Sequence, residues 1–139
     1  TMHTGLGCFR EIDVEDLTKH KMDSDLISVD TDAVKLVNKA KAEGRRICAV
    51  GTSVQRVLET ATLTDGMLKE YDGWTSKFIF PEHDFQVANC MIANFYAPYS
   101  TMLMLTTAFG GYDYVMNAYK VALDEGYRFG LYGDAMLII

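Results

Sequence analysis

Apolar residues recur along this chain at two different spacings, which predict helices and strands in alternation. The first helix is predicted by an apolar face at positions i, i+3, i+4 and i+7, formed by Ala33, Leu36, Val37 and Ala40. An oxygen of Asp30 or Thr31 can accept from the free amides of its first turn. Gly44 is placed to end the helix, because glycine readily adopts the left-handed cap conformation.

The next unit begins with an apolar run at 47–50 that has no polar alternation. Such a run is typical of a strand that is buried on both faces of a parallel sheet. The turn at 51–53 then leads into a second helix. Its predicted inward face consists of Val54, Val57, Leu58 and Ala61. Strand, tight glycine turn and helix make half of a βαβ unit.

The remaining apolar pattern completes an α/β fold, with a mainly parallel sheet flanked by helices. Further strands are predicted at 2–9, 27–29, 78–80, 90–93 and 135–139, with loops at 10–25 and 63–74. A third, largely apolar helix is predicted at 101–109, and a fourth has the face Val115, Ala118, Tyr119 and Ala122 and ends near Gly126. We expect the last strand to lie inside the core, with Asp134 at its entrance.

Composition places the chain among ordinary globular domains. It has 139 residues, of which 49% are hydrophobic and 23% are charged, so we expect one domain. No window is apolar enough for a membrane helix, and no secretory signal is visible at the start, so we expect no membrane partner. The three cysteines are far apart and odd in number, which argues against a disulfide framework and favours a reducing cytoplasm.

Charge and histidine spacing narrow the classes of ligand. The net charge of −6 argues against this chain supplying an electrostatic footprint for nucleic acid. His3, His20 and His83 share no close or helical spacing, so we expect no metal site.

Ligands of open α/β sheets bind beyond the carboxyl ends of strands, and the turn at 51–53 is such a place. Gly51, Thr52 and Ser53 would offer free helix amides and hydroxyls to a carboxylate, a phosphate or a ribose. The alternative is simple capping by either hydroxyl. Arg56 and Glu59 lie three apart on the following helix, and their alternative is a surface ion pair.

Three other segments carry candidate chemistry. Ser100 and Thr101 stand at a second strand-to-helix junction after Asn94, where they can serve a ligand or only cap the helix. Gly5 and Gly7 allow close approach of the backbone to a ligand or form a bulge. The carboxylate of Asp134 should have a partner, for which the candidates are Arg128, Arg10 and Arg56. These residues alone leave the chemistry open.

Taken in order, the motifs closely resemble the S-adenosylmethionine:tRNA ribosyltransferase-isomerases of queuosine biosynthesis. The matching segments are His3-x-Gly5-x-Gly7-x-Phe9-Arg10, Ala49-Val50-Gly51-Thr52-Ser53-x-x-Arg56-x-Leu58-Glu59, Gly73-Trp74-Thr75, Phe78-Ile79-Phe80-Pro81, Asn94-Phe95-x-x-Pro98-x-Ser100-Thr101-Met102-Leu103-Met104, Ala108-Phe109-x-Gly111, Tyr127-Arg128-Phe129 and Tyr132-Gly133-Asp134-Ala135-Met136-Leu137-Ile138. The chain differs from the family pattern at Tyr96 and Asp23, where histidine is usual, and at Cys8, Glu11 and Asp25.

The resemblance implies a domain organisation. It runs nearly end to end, but members of the family are more than twice as long and pair an α/β domain with a β-barrel domain. Residues 1–139 therefore resemble the C-terminal part of the α/β catalytic domain, with the barrel and the N-terminal part absent. We expect such a piece to be inactive alone and to self-associate through exposed apolar surface.

The resemblance also implies a cytoplasmic reaction. The ribosyl moiety of S-adenosylmethionine is transferred to 7-aminomethyl-7-deazaguanine at the wobble position of tRNA with a GUN anticodon. Isomerisation then gives epoxyqueuosine, and adenine and methionine leave. S-adenosylmethionine is a substrate, and no cofactor or metal is implied. The chemistry needs a base for a proton beside the sulfonium, an acid for adenine and stabilisation of developing charge.

Site residues carry over by motif position. The implied catalytic residues are Asp134, Glu59, Arg10 and His3, and the implied substrate-binding residues are Gly5, Gly7, Gly51, Thr52, Ser53, Arg56, Asn94, Ser100 and Thr101. The alternative, which the two missing histidines favour, is a nucleotide-binding or regulatory module that kept the fold and lost the reaction.

Overall fold

The computed structural model describes every residue from Thr1 to Ile139 and confirms an α/β fold. Its strands are β1 Met2–His3, β2 Asp25–Val29, β3 Cys48–Val50, β4 Tyr71–Thr75, β5 Cys90–Asn94 and β6 Ala135–Ile138. Its helices are α1 Thr31–Ala42, α2 Thr52–Thr60, α3 Thr101–Gly110 and α4 Tyr112–Asp124, with short 3-10 helices at Leu6–Phe9 and Leu17–Lys19. None of these helices combines the length and hydropathy needed to cross a bilayer.

The strands form two three-stranded sheets, and the expectation of a mainly parallel sheet is confirmed only in part. The first sheet has the order β1-β2-β4 and is antiparallel throughout. In the second, β3 and β5 are parallel, but β5 and β6 are antiparallel. The single helix α2 lies on the crossover from β3 to β5, as a parallel pair requires. Two successive helices separate β5 from β6, so the chain returns in the opposite direction.

The core fills the space between the second sheet and helices α2, α3 and α4. A cluster of 17 buried apolar residues includes Ala49, Met91, Ala93 and Leu105. The expected burial of 47–50 on both faces is wrong, because Val50 is 62% exposed. β3 is an edge strand, and only Ala49 within it is buried.

The C-terminal strand forms where the apolar run predicted it, but the expected place inside the core is wrong. β6 is the other edge of the second sheet. Leu137 is 60% exposed and Ile139 is 78% exposed. Met136 and Ile138, on the alternate face, pack against the core. Strand formation is thus separable from burial, which depends on what covers the strand.

Local capping signals are confirmed, whereas several strand limits are wrong. The carboxylate of Asp30 accepts from the Ala33 amide at 2.8 Å, and Ser100 Oγ accepts from the Leu103 amide at 3.1 Å. The strand expected at 2–9 ends at His3, since a 3-10 helix follows. No strand forms at 78–80, and the predicted loop at 63–74 contains most of β4, which pairs along the whole of β2.

Helix α2 buries most of its predicted apolar face and a polar face as well. Leu58 and Ala61 belong to the core, and Val57 packs against it. Val54 is 42% exposed, whereas Thr52, Gln55, Arg56 and Glu59 are buried beside Leu58. Two of these polar side chains, Arg56 and Glu59, find partners on other elements, described below. Polar pairing across the fold and apolar packing therefore both hold this helix in place.

Candidate functional site

A pocket of about 140 Å³ lies where α2 begins, against the 3-10 helix at Leu6–Phe9 and the start of α3. Its walls are mainly apolar and include Phe9, Met22, Phe78, Ile79, Met102, Leu105 and Leu131. Its polar lining is Thr4, Cys8, Thr52, Ser53, Arg56, Tyr96 and Thr101. A mainly apolar concavity with a few convergent polar groups is the usual form of a small-molecule site.

The start of α2 presents unsatisfied backbone donors to this pocket. Gly51 has φ of 95°, a left-handed conformation that favours glycine. No side chain caps the helix, so capping by Thr52 or Ser53 is not the role of these residues. The first-turn amides are therefore free and carry the partial positive charge of the helix terminus. The turn suits an anion, and its predicted role in binding stays a prediction.

Arg56 reaches across the fold from the first turns of α2. Its Nη1 donates to Asp25 Oδ2 at 2.9 Å and to Cys8 Sγ at 3.3 Å, and its Nε donates to the carbonyl of Lys77 at 3.1 Å. The side chains of Arg56 and Asp25 are 6% and 3% exposed, which rules out a surface ion pair. Arg56 Nη2 is buried without a partner in the protein. One charged donor is thus left over on a residue that lines the pocket.

Asp25 is held as a carboxylate by three donors. The Gly5 amide donates to Oδ1 at 2.7 Å, and the Cys8 thiol and Arg56 serve Oδ2. Burial opposes ionisation, but these hydrogen bonds and the Arg56 charge outweigh it and lower the pKa of Asp25. Burial, followed by the hydrogen bond to Asp25, raises the pKa of the Cys8 thiol. At neutral pH the site therefore holds a charged pair and a neutral thiol.

Glu59, three residues beyond Arg56, belongs to a separate network. Its carboxylate accepts from the amides of Gln86 at 3.1 Å and Val87 at 3.4 Å, and lies 3.1 Å from His83 Nε2. Glu59 does not line the pocket, and it fixes the segment that follows Phe80 against α2. His83 escaped prediction because its partner lies 24 residues away.

The other predicted catalytic residues lie outside the pocket. His3 and Arg10 are exposed, and Arg10 pairs with Asp23 at 3.2 Å. Asp134 is exposed, and its Oδ2 accepts from the backbone amide of Arg128 at 2.7 Å. The predicted partner is therefore the right residue, but through its backbone and not its guanidinium. The catalytic roles of these residues stay predictions.

Only part of the predicted substrate-binding set comes together. Gly51, Thr52, Ser53, Arg56 and Thr101 line the pocket, whereas Gly5, Gly7, Asn94 and Ser100 do not. The Gly5 amide donates to Asp25, and a Cβ on Gly7 would clash with the Asp23 side chain. Asn94 Nδ2 donates to the carbonyl of Asp134 at 3.1 Å, and Ser100 caps α3. These four residues support the surroundings of the pocket.

Asp25 is the main site residue that sequence reasoning missed. It begins β2 next to apolar residues, where a charge is unusual, but its partner Arg56 lies 31 residues further along the chain. No group of three or more His, Cys, Asp or Glu side chains is placed to hold a metal ion.

Comparisons with known proteins agree on one family. A family model described as "Queuosine biosynthesis protein" matches residues 1–138. Curated proteins named S-adenosylmethionine:tRNA ribosyltransferase-isomerase are 68% identical in Phocaeicola vulgatus and 64% in Parabacteroides distasonis, over 100% of this chain and 40% of theirs. The crystal structure of S-adenosylmethionine tRNA ribosyltransferase from Thermotoga maritima has a TM-score of 0.77 and 42% identity, covering 83% of this chain and 40% of that one.

Proposed function

The chain belongs to the queuosine biosynthesis protein family, and from this premise we propose that it supplies part of a S-adenosylmethionine:tRNA ribosyltransferase-isomerase. The proposed reaction moves the ribosyl moiety of S-adenosylmethionine to 7-aminomethyl-7-deazaguanine in the wobble position of a GUN anticodon. It isomerises that moiety to give epoxyqueuosine and releases adenine and methionine. S-adenosylmethionine is then a substrate and no separate cofactor is invoked. The proposed location is the cytoplasm.

The share of the relatives that is covered supports a proposal on domain organisation. The chain spans about 40% of the length of the curated relatives that it matches. We propose that residues 1–139 form the C-terminal part of the α/β catalytic domain, and that the remaining length supplies the β-barrel and the N-terminal part. Exposed Val50, Leu137 and Ile139 on both edges of the second sheet support further packing there. Taken alone, the chain is proposed to be inactive and to self-associate.

One observation carries the proposal for a substrate site: the pocket at the start of α2 joins free helix amides to the buried Arg56–Asp25 pair. Hydrogen-bond donors in a secluded, mainly apolar space stabilise negative charge far better than donors in water. Thr52, Ser53 and Thr101 add hydroxyls that can hold a substrate oxygen in place. The four residues proposed as catalytic lie outside this pocket, so their role requires the rest of the protein to bring substrate groups to them.

A chimera tests the proposed function. This chain replaces the matching 139 residues of the Phocaeicola vulgatus relative, to which it is 68% identical. Adenine release and nucleoside analysis of tRNA carrying 7-aminomethyl-7-deazaguanine measure turnover. We expect turnover within about tenfold of the parent enzyme, since 68% of the exchanged residues are identical.

Two variants of the chimera make that test more specific, and two results would contradict the proposed reaction. Arg56→Ala should abolish turnover, whereas Arg46→Ala, at an exposed position, should leave it unchanged. A folded chimera that binds S-adenosylmethionine without turnover would favour the non-catalytic nucleotide-binding module. A folded chimera that binds neither substrate would contradict both functions.

A further inference from the structure

We propose that the pocket at the start of α2 takes the amino-acid end of S-adenosylmethionine, with the carboxylate on Arg56 Nη2 and the free α2 amides. This inference rests on the proposed function and states which end of the substrate the pocket holds. It assigns Arg56, Thr52 and Ser53 to the methionyl carboxylate and leaves the nucleoside end to the rest of the site.

The first step is the unused donor on Arg56. Every other donor direction of this guanidinium is taken by Asp25, Cys8 or the Lys77 carbonyl. Nη2 is buried with no partner in the protein. A buried charged donor without an acceptor is unfavourable, so a ligand oxygen that reaches Nη2 would complete its hydrogen bonding.

The second step is the helix terminus, an independent observation. α2 begins at Thr52 with a glycine before it and no side-chain cap, so its first amides are open to a ligand. Thr52 and Ser53 line the same pocket as Arg56. A carboxylate has two oxygens, and the residues that line the pocket carry both a guanidinium and free helix amides.

The third step is charge. Asp25 lies 2.9 Å from Arg56 and would disfavour a second carboxylate if its own charge were unsatisfied. Its two oxygens are already engaged by the Gly5 amide, the Cys8 thiol and Arg56 Nη1. The positive character that remains unpaired comes from the helix terminus and Nη2, and both favour an anion.

The fourth step is size and polarity, which select the amino-acid end over the other sources of an oxyanion. The pocket volume of about 140 Å³ is well below the roughly 300–1,000 Å³ of sites that enclose a whole drug-sized ligand. Its apolar lining includes Met22, Phe78, Ile79 and Leu105. A methionyl chain matches such walls, whereas the sugars that flank a tRNA phosphate would be desolvated there.

Inhibition of the chimera by three probes tests the assignment. The probes are L-methionine, L-methioninol, which lacks the carboxylate, and inorganic phosphate, each titrated against S-adenosylmethionine. We expect L-methionine to compete with S-adenosylmethionine. We expect L-methioninol to inhibit about 10- to 100-fold more weakly, the usual effect of losing a charged hydrogen-bond partner. Phosphate should not compete.

A conservative substitution in the protein tests the same assignment. Arg56→Lys keeps the charge but cannot serve Asp25 and a ligand together, so L-methionine should inhibit it about tenfold or more weakly, with adenine inhibition unchanged. Arg46→Lys, at an exposed position, is the matched control. If Arg56→Lys fails to fold, the comparison of methionine with methioninol still decides the question.

Each contrary result overturns a defined claim. Equal inhibition by methionine and methioninol, or stronger competition by phosphate, in an active chimera would overturn the subsite and leave the proposed function standing. Methionine binding to an inactive chimera, measured by calorimetry with the same methioninol contrast, would support the subsite and contradict the proposed function. Unchanged methionine inhibition in Arg56→Lys would also overturn the subsite.

Discussion

Two regions of this molecule depart from the usual arrangement of buried apolar and exposed charged residues. One buries charged side chains, and the other exposes apolar ones. Around α2, the charged residues Asp25, Arg56 and Glu59 are buried. Along β6, apolar Leu137 and Ile139 face outward beside a groove formed with α4. Buried charge is stable only when it is paired, and a large exposed apolar strip is rare in a finished monomer. The buried charged groups around α2 have most of their hydrogen-bond and ion-pair partners within the chain. The outward-facing side chains along β6 have no protein packed over them.

The difference teaches how to interpret each region. The α2 network is nearly complete, and its unfilled positions are Nη2 of the pocket-lining Arg56 and the amide of Gln55. A network with one free donor at a pocket indicates a ligand. The β6 strip has an unpaired strand edge and apolar side chains together, which indicates missing protein surface. The following predictions begin with the largest expected effect.

Removing Asp25 should be the most damaging change to the α2 network. Asp25→Ala leaves the Arg56 charge buried without a counter-charge, so the free energy of unfolding should fall by about 3–5 kcal/mol. Urea denaturation of the chain measures this. Asp23→Ala breaks the exposed pair with Arg10 and should cost about 1 kcal/mol or less. Equal losses in the two variants would contradict the buried network.

The same pair predicts a dependence on pH. Because the folded state lowers the pKa of Asp25, its contribution to stability is present above the unfolded value of 3.8 and is lost as pH falls below it. The difference in stability between the chain and Asp25→Asn should therefore shrink on acidification from pH 6 towards pH 3. A difference that grows in acid would contradict the sign of the shift.

A substitution at Gln55 tests whether a buried polar side chain without a partner lowers the stability of the chain. Its side chain is fully buried, and neither amide atom has a partner. Gln55→Met keeps the shape of the side chain and removes the cost of desolvating its amide. The free energy of unfolding should therefore rise by about 1 kcal/mol or more. Thermal unfolding measures this, with Gln86→Met, at a residue whose amide already bonds Asp84, as the control. A marked loss of stability would show that Gln55 is satisfied in a way that the fold requires.

The helices and strands of this fold differ in how far the sequence could predict them. Helix α1 was predictable because its apolar spacing and its Asp30 cap are local signals. Helix α2 and most of its apolar face were predicted, but the burial of its polar face was not, since the partners of the Arg56 and Glu59 side chains lie 21 or more residues away. β4 was missed because its pairing with β2 is equally non-local. Local patterns set the elements, and distant pairing decided which side of them is buried.

The apolar strip should control self-association more than stability. At micromolar to millimolar concentrations we expect the chain to sediment as oligomers. Leu137→Lys should shift the chain towards monomer. It should change the free energy of unfolding by about 0.5 kcal/mol or less, because this side chain is already exposed. Leu36→Lys on α1, also exposed, is the matched control and should leave the oligomers intact. Monomers at all concentrations in the unmodified chain would contradict the interpretation of this strip.

The smallest effect is expected for nucleic acid. The chain carries a net charge of −6, so alone it should bind unmodified tRNA no better than typical non-specific binding, with Kd of roughly 10⁻⁴ M or weaker. Fluorescence anisotropy at several salt concentrations measures this, and the chimera serves as the positive control. Tight, salt-sensitive binding by residues 1–139 would contradict the assignment of most tRNA contacts to the rest of the protein.

The central claim is that the pocket at the start of α2 holds the amino-acid end of S-adenosylmethionine. A crystal structure of the chimera with this substrate tests it most directly. The predicted result is a carboxylate oxygen about 2.7–2.9 Å from Arg56 Nη2, with the second oxygen at the Thr52 and Ser53 amides. Substrate bound elsewhere, with the pocket filled only by water, would contradict it.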